Sequence, residues 1–270
     1  MKLLAWDTSS KVGALAALEW DQNQGRDGIR LVSEWSLNVD ATHSERLLWA
    51  IHELLESARW KLSEIDLFGV GVGPGSFTGL RIGLTTARTL AHTLGKPLIG
   101  VSSLATLARP AATWLTAQKI RAVVVAATDA CKGELFALVG AAPAVLDCVV
   151  AAEGERTGLW KRGVSESVLT PDDLLKALRR KLTEGGKAHS QSTLWLAIGE
   201  GRGCYPELWQ KLPSEQELIP PVPFMNHVQG RYLGLLVWEA YQAGLTLNAL
   251  EVYPRYLRAS DAELKLRRGD

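Results

Sequence analysis

The sequence predicts an α/β chain of two lobes, each a mixed sheet flanked by helices. Three observations carry that expectation. Apolar runs of strand length alternate with longer segments whose apolar residues recur at helical spacing. The opening order of strand, aspartate, short polar turn and strand, with Asp7 as its aspartate, returns around Asp129. The 270 residues, 47% of them apolar, can bury one large core or two modest ones.

The elements follow in order. Leu3 to Trp6, Val12 to Leu18 and Leu31 to Leu37 read as strands joined by the polar turns Thr8-Ser9-Ser10 and Asp21-Gln22-Asn23-Gln24-Gly25. Thr42 and Glu45 have capping-box spacing, and Leu47, Leu48, Ile51, Leu54, Leu55 and Ala58 form one stripe of a helix ending near Trp60. Leu67 to Val72 is a buried strand. A glycine-rich loop follows, then a helix over Leu80 to Leu94 that stops at Gly95 and Pro97, then a strand over Leu98 to Val101. Ser102 to Thr116 is helical until Pro110 interrupts it, and the lobe boundary is expected there. Ile120 to Thr128 and Glu134 to Val139 form the second hairpin. Thr170-Pro171-Asp172-Asp173 caps a helix reaching Leu182, Leu194 to Ile198 is a strand, and a short helix lies near Pro206 to Leu212. Pro220 to Pro223 links to a last helix over His227 to Ala243. The expected division is residues 1–108 for the first lobe, 109–223 for the second, and 224–270 for a helix and tail packing back on the first.

Charge and cysteine usage narrow the function class. Thirty basic and 29 acidic residues leave a formal charge of +1, too little for a general attraction to nucleic acid or membrane. Cys131, Cys148 and Cys204 make no Cys-x-x-Cys pair, which points away from a zinc site or a disulfide framework. Asp7 ends the first apolar run well short of a signal core or a membrane span, so the expectation is a cytoplasmic protein without membrane contact. The ten tryptophans do not alternate with basic residues and are assigned to core and half-buried helix faces.

The most informative run is Val70 to Gly83, which holds five glycines and a proline between a strand and a helix. Such a turn serves either an anion at a helix N-terminus or close packing of helix on sheet. A P-loop requires Lys after its last glycine, and Leu80-Arg81 stands there. Neither Gly71 nor Gly73 starts a Gly-x-Gly-x-x-Gly run, and Ser76 has Pro74 where a nucleophile elbow needs glycine.

Two strand–aspartate–hairpin units resemble the way the actin, sugar kinase and heat-shock ATPase superfamily, with its duplicated ribonuclease H-like lobes, holds a nucleotide. Here Asp7-Thr8-Ser9-Ser10 offers hydroxyls but no glycine, and Asp129-Ala130-Cys131-Lys132-Gly133 delays its glycine behind Cys131. Asp7, Thr8, Ser9 and Asp129 are therefore the cofactor-binding candidates, as degraded phosphate loops. Within that superfamily the chain resembles the bacterial TsaB (YeaZ) family. The resemblance rests on Asp7-Thr8-Ser9, Thr42 to Leu48, Gly73 to Gly83, and Pro254-Arg255-Tyr256-Leu257-Arg258. It spans essentially the whole chain, densest up to Ala108.

The resemblance implies a non-catalytic paralogue of TsaD, the subunit that transfers a threonylcarbamoyl group to tRNA adenosine. TsaD carries His-x-x-x-His at the start of its first long helix; this chain has His43 and then Leu47, and one imidazole is a poor metal site. His52 lies nine residues on, on the opposite side of the helix from His43. No metal and no catalytic residue is expected, and no cofactor, with ATP or ADP at a partner interface left open. The implied partners are a TsaD homologue, a TsaE homologue and a second copy of the chain, with tRNA met only through the complex. The helices at Thr42 to Trp60 and Gly79 to Leu94 would form the contact, with Arg46, Ala50, Gly83, Ala87 and Leu90 as interface candidates. An ATPase or phosphotransferase of the same superfamily is the alternative. A peptidase, with no nucleophile–base–orienter trio in view, is the lesser one.

Overall fold

A computed structural model describes residues 1–38, 43–146, 164–186, 193–218, 226–245 and 248–258. The first sheet is built from β1 (Lys2–Asp7), β2 (Val12–Trp20), β3 (Ile29–Asn38), β4 (Leu67–Gly71) and β5 (Leu98–Val101) in the order β3-β2-β1-β4-β5. The β1/β2 and β2/β3 pairs are antiparallel and β1/β4 and β4/β5 are parallel. Between the strands run α1 (His43–Ala58) and α2 (Phe77–Leu94).

The second sheet repeats the plan with β6 (Ala122–Asp129), β7 (Leu135–Ala141), β8 (Ser165–Leu169) and β9 (Leu194–Ile198) in the order β8-β7-β6-β9. An antiparallel hairpin again adjoins a parallel partner, and the strand of each lobe that opens its hairpin ends at an aspartate, Asp7 or Asp129. The remaining helices are α3 (Ser103–Ala117), α4 (Ala142–Leu146), α5 (Pro171–Gly186), α6 (Gly201–Cys204), α7 (Pro206–Gln210) and α8 (Gly230–Gln242). The two-lobed fold of the actin, sugar kinase and heat-shock ATPase superfamily expected from the sequence is therefore present.

The period-2 alternation of each sheet sorts its side chains into layers. On β1, Leu4 and Trp6 join the core under α1 and α2, while Leu3 and Ala5 face a central core shared with α3 and α8. On β6, Val124 and Ala126 enter that same central core, and Val123 and Val125 face α5 and α7. The layers thus run α1/α2, first sheet, α8 and α3, second sheet, α5/α7. Helix α8 packs on β1 and β2, and α3 packs on β6 and on α8.

Two local expectations are corrected. Helix α3 continues through Pro110 rather than stopping there. Proline removes one hydrogen bond from a helix interior, but Leu104, Leu107, Ala108, Ala111, Ala112 and Leu115 are all buried, and that tertiary packing outweighs the local defect. The sequence boundary at 108/109 consequently falls inside a helix that contacts the central core of both sheets. Helix α2 starts at Phe77, a turn before the expected Leu80, because the Ser76 side chain caps it by accepting from the Gly79 N–H at 3.2 Å. It ends at Gly95, whose φ of 62° closes the helix in the left-handed region. The expected partner of Glu45 in a capping box, Thr42, lies outside the described residues, as do the Pro220 to Pro223 linker and Cys148.

Candidate functional site

The glycine run is filled by protein. A Cβ on Gly71 would stand 1.8 Å from Asp7 Oδ2, one on Gly75 2.3 Å from the Ser9 carbonyl, one on Gly79 2.0 Å from the Thr8 carbonyl and one on Gly83 2.2 Å from Thr8 Oγ1. Four glycines of the run therefore accommodate the loop Asp7-Thr8-Ser9. The loop is held there by hydrogen bonds. Thr8 Oγ1 donates to the Gly79 carbonyl (2.6 Å), Ser76 N–H donates to the Ser9 carbonyl (2.7 Å), and Ser9 N–H donates to Asp7 Oδ1 (2.7 Å). Ser103 Oγ, on α3, donates to Asp7 Oδ2 at 2.5 Å. Asp7 and Thr8 are buried, and the Ser10 hydroxyl donates back to the Val12 carbonyl.

The second loop is closed upon itself in the same manner. Ala130 N–H donates to the Glu134 carbonyl, Cys131 N–H to Asp129 Oδ1 (2.9 Å), and Glu134 N–H to the Cys131 carbonyl. Cys131, Lys132 and Gly133 all have positive φ, at 61°, 55° and 81°. This turn presents the carbonyls of Ala130 and Cys131 outward, and both accept from the Arg258 guanidinium. A loop that shows carbonyls suits a cation and repels a phosphate. Asp129 is half-buried and accepts a further hydrogen bond from Tyr205 Oη at 3.2 Å.

The two loops face each other across a cleft of about 870 Å³, bounded among others by Ser9, Gly75, Asp129, Lys132, Arg255 and Arg258. The sequence grouped Arg255 and Arg258 in a motif without a role, and it gave no sign of Glu166. On β8 the Glu166 carboxylate is fully buried, pairs with Arg255 and accepts from Ser102 Oγ at the start of α3. Burial pushes this carboxyl up to about 7, and Arg255 and the Ser102 hydroxyl pull it only part of the way back.

The expected interface residues divide into two groups. Arg46 is exposed and Leu90 is half-buried, on α1 and α2 respectively. Ala50 and Ala87 are fully buried and Gly83 is buried against Thr8, so these three are corrected from interface to interior. Small residues mark the places where a helix approaches its own sheet, and here that is their use. The outer faces carry other groups. On α1, Leu48 and Trp49 are 59% and 52% exposed, and Trp49 meets the half-buried Trp35 edge-on at 5.9 Å. Beside α2, Phe77 lies 4.9 Å from Tyr256, and the guanidinium of Arg81 sits 3.8 Å over the Phe77 ring. Of the tryptophans, Trp6, Trp60, Trp195, Trp209 and Trp238 are buried, and Trp49 is more exposed than the expected core or half-buried helix face.

His43 opens α1, but its side chain is outside the described residues; Leu47 is buried in the core under α1. Among the described residues no cluster of three or more His, Cys, Asp or Glu side chains could hold a metal ion. No described helix is long and apolar enough to cross a membrane. Cys131 and Cys204 are exposed free thiols. Lys265, Arg267 and Arg268 lie outside the described residues.

The family model of TsaD, the tRNA N6-adenosine threonylcarbamoyltransferase, matches residues 38–155. The tRNA threonylcarbamoyladenosine biosynthesis protein TsaB of Escherichia coli is 25% identical over 98% of each chain. That of Haemophilus influenzae is 28% identical over 96% of this chain and 94% of its own. The solved structure of YeaZ from Pseudomonas aeruginosa is 25% identical, covers 94% of this chain and all of its own, and superposes with a TM-score of 0.64. The chain is thus similar over nearly its whole length to TsaB (YeaZ) proteins, in sequence and in fold.

Proposed function

We infer that the chain is a non-catalytic subunit that binds and activates a TsaD-like transferase in the threonylcarbamoyl modification of tRNA adenosine. The observation that carries this reading is the state of the two aspartate loops. In an active member of the superfamily such loops offer free N–H and hydroxyl donors to phosphates. Here the Thr8 and Ser10 hydroxyls and the N–H groups of Ser9, Ala130 and Cys131 are donated within the protein. A chain whose own cleft has lost that chemistry acts through its surface.

The outer faces of α1 and α2 supply a surface of the right kind. Exposed Leu48, Trp49 and Phe77 with flanking Arg46 and Arg81 combine apolar anchors and guanidinium groups, the residue types that concentrate binding energy in protein interfaces. The proposed occupant is the matching helix pair of a TsaD homologue or, without it, of a second copy. A TsaE homologue joins the complex, tRNA is met through the complex, and the compartment is the cytoplasm. The proposal assigns no cofactor to the chain itself.

The test is reconstitution. Purified chain alone is expected to hydrolyse no ATP and modify no tRNA, and its addition to a TsaD homologue with the other components is expected to restore modification. Full modification in its absence overturns the proposal. Micromolar binding of ATP with magnesium to the isolated chain, measured by calorimetry, supports the phosphotransferase reading instead.

A further inference from the structure

Residues 248–258 run from one lobe to the other. On the first lobe, the 3-10 turn Ala249–Glu251 lies against α2, where the Arg88 guanidinium donates to the Leu250 carbonyl at 3.1 Å. Further on, the Arg255 N–H donates to the Val72 carbonyl at 2.7 Å, just beyond β4. The side chain of the same Arg255 reaches the second lobe, where it pairs with the buried Glu166 of β8. Three residues later Arg258 donates to the carbonyls of Ala130 and Cys131, and its Nε stands 3.5 Å from Glu134. One short stretch of backbone is thus anchored to the first lobe, and its two guanidinium groups are anchored to the second.

The lobes are already joined through the layer of α3 and α8. Two packed bodies with a single helical layer between them retain a hinge or shear motion, the way two-domain proteins in general open and close around ligands. A second connection on the side of the aspartate loops removes that freedom. The chemistry of the connection is suited to holding. Glu166 is removed from solvent and Arg255 is only 14% exposed, so salt screens their attraction far less than that of a surface pair. The second loop needs a cationic donor for its outward carbonyls, and Arg258 provides one from within the chain.

We propose that residues 248–258 are a strap that fixes the angle between the lobes, with Arg258 as the built-in ligand of the second aspartate loop. The cleft wall that includes Arg255 and Arg258 is therefore a closed tie across the lobes, and the chain meets any partner as one rigid body. The inference concerns the isolated chain and stands apart from the identity of the partner.

The experiment measures the distance between lobes directly. Spin labels are placed at Glu56→Cys on α1 and Thr183→Cys on α5, both exposed, in the full chain with its three cysteines replaced by serine. Double electron–electron resonance on this parent is expected to give one narrow distance distribution. The variant Glu166→Gln/Arg255→Gln/Arg258→Gln, which removes the tie without leaving a buried carboxylate unpaired, is expected to broaden it and add longer distances while circular dichroism stays unchanged. An unchanged distribution in the folded variant overturns the proposal, as does a parent distribution already broad. If the triple variant fails to fold, Arg258→Gln alone, which leaves Glu166 and Arg255 paired, is read against the same two outcomes.

Discussion

Replacing Gly79 with alanine tests the packing of the glycine run against the first aspartate loop. In a free helix the change is favourable by about 1 kcal/mol, since glycine is the poorer helix former. Here the new Cβ would stand 2.0 Å from the Thr8 carbonyl, where real Cβ atoms keep at least 3.0 Å, so loop and helix must separate by about 1 Å. The obstacle is backbone and cannot rotate aside. Separation breaks the hydrogen bond from Thr8 Oγ1 to the Gly79 carbonyl and weakens the one from Trp6 Nε1 to the Gly83 carbonyl at 3.0 Å. Each is worth about 1 kcal/mol when buried, and forcing an extra methyl into a packed site costs roughly 1–3 kcal/mol more. The net expectation is a loss of about 2–4 kcal/mol after the helix gain is subtracted. Urea unfolding followed by circular dichroism measures it, as a lower midpoint with unchanged slope. Gly203→Ala is the control: nothing lies within 4 Å of its Cβ, and stability should stay within about 1 kcal/mol of the parent. Gly83→Ala should fall between them, because its obstacle is the Thr8 hydroxyl, and Thr8→Ala should rescue part of the loss in a double-mutant cycle. A Gly79→Ala protein as stable as the parent refutes the account of the run as a socket for the Asp7 loop.

Three further outcomes are expected. Trp49→Glu should weaken association with a TsaD homologue by at least about tenfold, measured by calorimetry, while the isolated chain loses only about 1 kcal/mol of stability, since the ring is 52% exposed. Glu166 binds its proton up to about pH 7 in the folded chain against an ordinary 4.5, so the folded state holds the extra proton between those values. Stability from this group therefore falls as pH rises from about 4.5 to about 7, by up to roughly 3 kcal/mol, and Glu166→Gln should remove that slope from urea midpoints taken across the range. Leu54→Ala, at a fully buried position of the core under α1, should cost about 2–5 kcal/mol in the same unfolding assay.

Most elements were legible because their patterns are strong. Leu194 to Ile198 is a strand with the expected bounds, and the apolar stripe of α1 and the Gly95 stop of α2 lie where spacing and composition put them. Strand β8 escaped because Ser-Glu-Ser-Val-Leu carries only two apolar residues and sits at a sheet edge. The exclusion of phosphate-binding spacings pointed to tight packing at the glycine run, yet the partner it packs against is some seventy residues earlier, beyond the reach of any local pattern. Three of the five interface candidates are interior for a related reason. A stripe at helical spacing reports that one face of a helix is covered, not which face meets a partner, and Ala50, Gly83 and Ala87 belong to the covered one. Glu166 was invisible because its partner Arg255 is 89 residues away, and a single glutamate in a polar stretch looks solvated.

The central layer has a consequence for how the chain is made. The inner face of the first sheet, with Leu3, Ala5, Ala14 and Ala16, is covered by α8, whose residues run from Gly230 to Gln242. During synthesis the five strands of that sheet are complete by Val101, and the helix that seals them has yet to be translated. The nascent protein carries an open apolar sheet face through more than a hundred further residues, a span in which chaperones have a defined surface to guard and in which premature termination leaves an aggregation-prone fragment.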